Sequence, residues 1–139
     1  MSYQANRAQL AYRTTSVQTA SQSKLIIMLF EGAARFMRQF IEACNQQRIE
    51  EAHTNAVKAQ RIMTELIVCL DHDKGGEVAK LIETAYSNIR RRMAEANIKK
   101  DLALAELVIA DLESFRDTWN EVFQKVGDGG TPPTAGLTG

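Results

Sequence analysis

Apolar residues return at helical spacing through four stretches, residues 21–44, 49–70, 77–97 and 102–126, with only short connections between them. In the first stretch Leu25, Met28, Leu29, Gly32, Phe36 and Phe40 make one stripe, which Ile26, Phe30, Met37 and Ile41 widen. Thr19, Ser21 or Ser23 can cap its start, and Gly32, Ala33 and Ala34 thin its middle so that a neighbouring backbone can come close. The second stretch carries Ala52, Ala56, Ala59, Met63, Leu66 and Leu70 on one face. Small residues followed by large ones predict a wedge-shaped gap there. Residues 71–76 read as a turn, with Gly75 and Gly76 supplying backbone freedom. Val78, Ala79, Ile82, Tyr86, Ile89, Met93 and Ala96 mark the third helix; Asp101 begins the fourth, which presents Ala105, Val108, Leu112, Phe115, Trp119, Val122 and Val126. Short connections make sequential helices antiparallel, so the fold class is all-α, an antiparallel four-helix bundle over residues 21–126. Residues 1–20 read as a mobile arm in which Tyr3, Leu10 and Val17, spaced by seven, allow a short amphipathic helix. The glycine- and proline-bearing residues 127–139 read as a disordered tail.

A chain of 139 residues is the size of one domain. Its 17 basic and 17 acidic residues cancel, so no global field draws it to nucleic acid or to an anionic membrane. The polar opening lacks the apolar core of a secretory signal, and no run elsewhere is long enough to span a bilayer. Cys44 and Cys69 fall at opposite ends of an antiparallel hairpin, on the order of 30 Å apart at the helical rise, which is too far for a bridge. Two reduced thiols fit a cytoplasmic protein.

The candidate chemistry is thin. Asp71 and Asp73 ahead of Gly75 and Gly76 suggest a calcium loop, but the fifth position is Gly75 and the twelfth is Ile82, neither of which supplies the side-chain oxygen required. His53 and His72 have no metal-ligand partner at helical spacing, and no glycine-framed nucleophile or phosphate loop occurs. The expectation is therefore no catalytic residue, no metal, no cofactor and no enzyme. Arg90, Arg91 and Arg92 spread over about 200° of a helix and cannot all face one phosphate backbone, so nucleic acid is not the expected partner. What remains is a surplus. Met28, Met37, Met63 and Met93, with the broad stripes of the first three helices, exceed what one bundle core needs, and adaptable thioethers suit a groove for an amphipathic helix.

The segment TASQSKLIIMLFEG at residues 19–32 resembles the T-A-S-P-x-x-L-x-x-M-L-Y-D-G opening of the flagellar secretion chaperone FliS family. Gly75 to Ala79, Tyr86, Arg91, Arg92, Ala96, Asn97 and Trp119 match its later landmarks in order, so the resemblance covers residues 11–119. Gln22 stands for the family's proline, Phe30 for a tyrosine, Glu31 for an aspartate and Asn88 for a second tyrosine. The resemblance implies a cytoplasmic four-helix bundle without enzymatic turnover. It would bind the C-terminal region of flagellin, prevent premature polymerisation and keep its guest competent for type III export, with the export apparatus as a second candidate partner. It also implies that the arm, through Ala11 and Tyr12, caps part of the hydrophobic binding surface. Met28, Ile62, Leu66, Ile82, Tyr86 and Met93 are the expected groove residues. The alternative is a self-associating bundle whose apolar surface closes a homodimer; the expected state is a monomer or weak homodimer.

Overall fold

The computed structural model describes residues 19–126, which form four helices: α1 (Thr19–Asn45), α2 (Ile49–Val68), α3 (His72–Lys99) and α4 (Leu102–Val126). The N-terminal arm and the C-terminal tail expected from sequence lie outside the described residues, except that Thr19 and Ala20 already belong to α1. Helix α1 packs on α2 and α4, α2 on α3, and α3 on α4, which closes an antiparallel ring; the α3–α4 seam is the sparsest of the four.

Helix ends explain the connections. Gln47 has φ 61° and Lys100 φ 51°, both left-handed. Around Gln47, the Arg48 N–H reaches the Ala43 carbonyl at 2.8 Å and the Gln47 N–H reaches Cys44 at 3.0 Å; around Lys100, Asp101 reaches Ala96 at 2.9 Å and Lys100 reaches Asn97 at 3.4 Å. These paired bonds satisfy the last carbonyls of α1 and α3 and reverse the chain within three residues. The Asp71 side chain accepts from the Lys74 N–H at 3.0 Å, and that of Asp101 from the Leu104 N–H at 3.0 Å, capping α3 and α4. The expected turn over residues 71–76 is instead one helical turn from His72, broken at Gly76 (φ 53°, ψ −129°), after which α3 runs on to Lys99. Only Gly76 uses its conformational freedom; Gly75 does not adopt a positive φ.

The wedge expected along α2 is filled. Lys58 lies over the Phe36 ring, and the Ile62 Cδ1 sits 3.4 Å from where a Cβ on Gly32 would stand, which fixes the α1–α2 register. Small Gly32, Ala33 and Ala34 thus oppose bulky Ile62 and Leu66, while bulky Phe36 and Phe40 oppose small Ala52, Ala56 and Ala59. A side chain, not a backbone, occupies the space beside Gly32. Each helix is thin where its neighbour is thick.

Candidate functional site

The core must be separated from the surface before any groove can be named. Phe30 on α1, Tyr86 on α3 and Phe115 on α4 meet with ring centroids 5.3–5.9 Å apart. Trp119 stacks on Phe123 at 5.6 Å and donates its indole N–H to the Tyr86 hydroxyl at 2.9 Å. These rings lock α3, α4 and α1 together from the middle of the bundle, with Trp119 and Phe123 running toward the end where α1 and α3 begin. Burial raises the Tyr86 phenol well above its ordinary range, against a smaller lowering by the Trp119 hydrogen bond.

Three expected groove residues belong to this core. Leu66, Tyr86 and Met93 are among the largest fully buried side chains, and a guest on the closed bundle cannot touch them. Sequence period alone could not part them from the surface, because a core stripe and a groove stripe repeat with the same 3.6-residue rhythm. Met28, Ile62 and Ile82 do reach the surface: Met28 is 54% exposed, and Ile62 and Ile82 are half-buried against the core. Ala11 and Tyr12 lie outside the described residues.

The three that reach the surface lie on two different parts of it. Met28 lies one turn before Gly32 on α1, and Ile62 packs over Gly32 from α2, so both lie along the α1–α2 seam near half-buried Phe36. Leu81, eleven residues before Arg92 and so nearly in line with it, marks the flank of α3 that turns toward α4, because Arg92 pairs with Asp111 of α4; Ile82 lies inward of that flank, about 80° round the helix from Arg92. Val78 and Leu81 extend that flank outward at 53% and 70% exposure, residues missed as binding candidates because they sit at the edge of the helical stripe. The opposite flank of α3 faces α2: Arg90 donates to the Thr64 hydroxyl at 3.2 Å, and the Asn97 amide lies 2.9 Å from His53 Nδ1. Between these helices an open cleft of about 770 Å³ is lined by Gln60, Glu83, Thr84, Ser87, Asn88, Arg90, Arg91 and Ala94. The three arginines diverge as their helical spacing requires, to Thr64, Asn88 and Asp111.

Met28, Val68, Val78 and Leu81 are exposed in the half of the bundle where α1 and α3 begin. No group of three or more His, Cys, Asp or Glu among the described residues is placed to hold a metal ion. No described helix is long and apolar enough to cross a membrane.

A family model described as flagellar protein FliS matches residues 4–126. Among curated relatives, a flagellar secretion chaperone FliS from Bacillus subtilis (strain 168) is 32% identical over 114 residues, covering 82% of this chain and 84% of the relative. One of the same name from Campylobacter jejuni is 32% identical over 119 residues, covering 86% and 93%. Another from Salmonella typhimurium is 32% identical over 114 residues, covering 80% and 83%.

Proposed function

The chain belongs to the FliS family of flagellar proteins, and from that premise we propose that it is a cytoplasmic export chaperone for flagellin, binding the C-terminal region of its guest without chemical turnover. The observation that carries this reading is the apolar surface left outside a core that is already filled. Val78 and Leu81 stand in solvent on α3 beside half-buried Ile82, and Met28 stands beside Ile62 across the bundle. Surface of this kind is stabilised when a partner's apolar side chains remove it from water, at about 25 cal/mol per Å² buried.

The division of this surface between the α1–α2 seam and the α3 flank favours an extended guest over a compact one. A single short helix cannot cover both; a segment that is unfolded when free can fold onto one and continue to the other. A flagellin terminus held in this way is withheld from neighbouring flagellin subunits, which prevents premature polymerisation and keeps it ready for type III export. In the empty protein, Ala11 and Tyr12 of the segment before Thr19 shield the same surface and compete with the guest. Such competition lowers apparent affinity by the fraction of time the segment is docked.

Flagellin polymerisation followed by turbidity tests the reading. Equimolar chaperone should delay or abolish the rise, and the Val78→Asp, Leu81→Asp double variant should restore it while keeping its helical circular dichroism. Removal of residues 1–18 should tighten flagellin binding or lower the solubility of the empty protein. If sedimentation finds a tight dimer indifferent to flagellin, the apolar faces serve self-association and the reading fails.

A further inference from the structure

The α2–α3 cleft, about 770 Å³, opens on the side of α3 turned away from Leu81 and on the side of α2 turned away from Ile62, so it is separate from the apolar surfaces assigned to the guest. Along its α3 wall Glu83, Ser87, Arg90 and Ala94 recur at helical spacing on one face, with Asn88 and Arg91 on the outer edge. That face turns to α2, as the Arg90 bond to Thr64 and the contact of Asn97 with His53 require. From Glu83 to Ala94 the wall runs about 16 Å, the length of three helical turns.

Charge along this wall is sorted by position. Half-buried Arg90 meets only the neutral Thr64 hydroxyl, and Arg91 only the neutral Asn88 amide oxygen at 2.6 Å. Neither guanidinium enters an ion pair among the described residues. The nearby carboxylates are committed elsewhere: Glu95 pairs with Lys99 at 3.2 Å, Asp111 with Arg92, and Glu65, next to Thr64, is buried with a partner of its own. Glu83 stands two turns before Arg90, about 10 Å along the helix. Its ion-pair partner among the described residues is His72, whose Nε2 lies 3.6 Å away and balances the carboxylate only when protonated; Lys80, one turn earlier, does not pair with it. The cleft is thus basic at one end and acidic at the other. A continuous polyanion laid along it would be drawn to Arg90 and Arg91 and repelled at Glu83.

We propose that the α2–α3 cleft is a second docking site, for a partner helix that carries an acid and a base two turns apart on one face. The acid meets Arg90 and Arg91, where a guanidinium donates two parallel hydrogen bonds to a carboxylate; the base meets Glu83; short side chains between them rest over Ser87. A helix fits better than an extended segment because it satisfies its own backbone, whereas the described residues offer no strand edge for an extended chain to join. The apolar surfaces stay open when the cleft is filled, so partner and guest can be held together.

Three capped, alanine-based helical peptides, matched in helicity by circular dichroism, test the proposal by fluorescence anisotropy with the full chain. One carries Glu and Lys seven residues apart, on one face; its isomer carries them five apart, on faces about 140° from each other; the third carries two Glu seven apart. The first should bind at least about fivefold more tightly than its isomer at low salt, a margin that shrinks as ionic strength rises. Glu83→Lys should transfer the preference to the two-Glu peptide, Arg91→Glu should weaken binding of the first peptide, and the Val78→Asp, Leu81→Asp variant should leave it unchanged. Equal binding of the isomer, absence of binding by all three peptides, or a Glu83→Lys variant that folds but keeps the wild-type preference would overturn the proposal. So would loss of binding in the Val78, Leu81 variant, tighter binding of a short RNA than of any peptide, or a dimer in sedimentation that Glu83→Lys dissolves, which would assign the cleft to a second copy of the chain.

Discussion

Tyr86 shows how one residue can read as a binding contact and serve as a keystone. Its spacing puts it in line with Ile82 and Met93, yet its hydroxyl accepts from Trp119 and its ring is enclosed by Phe30 and Phe115. Because the fold resists ionisation of this phenol, its contribution to stability is complete below the ordinary tyrosine value of 10.0 and is lost as pH rises through that value toward the higher one in the folded state. The denaturation midpoint of the wild type should therefore fall above that pH. Tyr86→Phe should flatten this alkaline decline and cost about 1–2 kcal/mol at neutral pH, since the buried Trp119 N–H loses its acceptor. An unchanged neutral-pH stability would show that the hydrogen bond is dispensable. Gln47 and Lys100 make the complementary point. Their left-handed backbone is a place for glycine, and neither residue announces it in the sequence. Gln47→Gly and Lys100→Gly should each stabilise the bundle by about 0.5–1 kcal/mol in urea unfolding, through relief of that conformation.

At the scale of the element, four helices and their order were legible because each keeps one apolar stripe for six or seven turns. The Asp101 start of α4 was legible from its capping side chain, and the structure gives that cap a bond to Leu104. The first turn of α3 was not legible, because two adjacent glycines normally end a helix. Here Asp71 holds a turn in front of them, and Gly76 alone takes the bend. Nothing lies within 4 Å of a Cβ built at Gly76, so the cost of Gly76→Ala is conformational and not steric. That substitution should destabilise the protein by about 1–3 kcal/mol. A neutral result in thermal unfolding would mean that the turn from His72 frays without loss to the bundle. Side-chain size along α1 and α2 was visible residue by residue, but its meaning was not. The alanines of α2 read as a gap until the register set Phe36 and Phe40 opposite them.

For the whole molecule, the sequence carried the claim of excess apolar surface, and pairing of the helices decided where that excess lies. Leu66, Tyr86 and Met93 went to the core; Met28, Ile62 and Ile82 stayed at the surface; Val78 and Leu81 joined them from the edge of the stripe. One period describes core and groove alike, so only three-dimensional packing could divide them. The division has a consequence for binding, since the exposed side chains can be changed without touching the filled core. Titration calorimetry of monomeric flagellin into the wild type and into the Val78→Asp, Leu81→Asp variant is the most direct measurement. The account predicts one equivalent bound by the wild type, a negative heat-capacity change from apolar burial, and affinity at least about tenfold weaker in a variant whose own unfolding is unchanged. Absence of binding to the wild type, or equal affinity in both proteins, would contradict it.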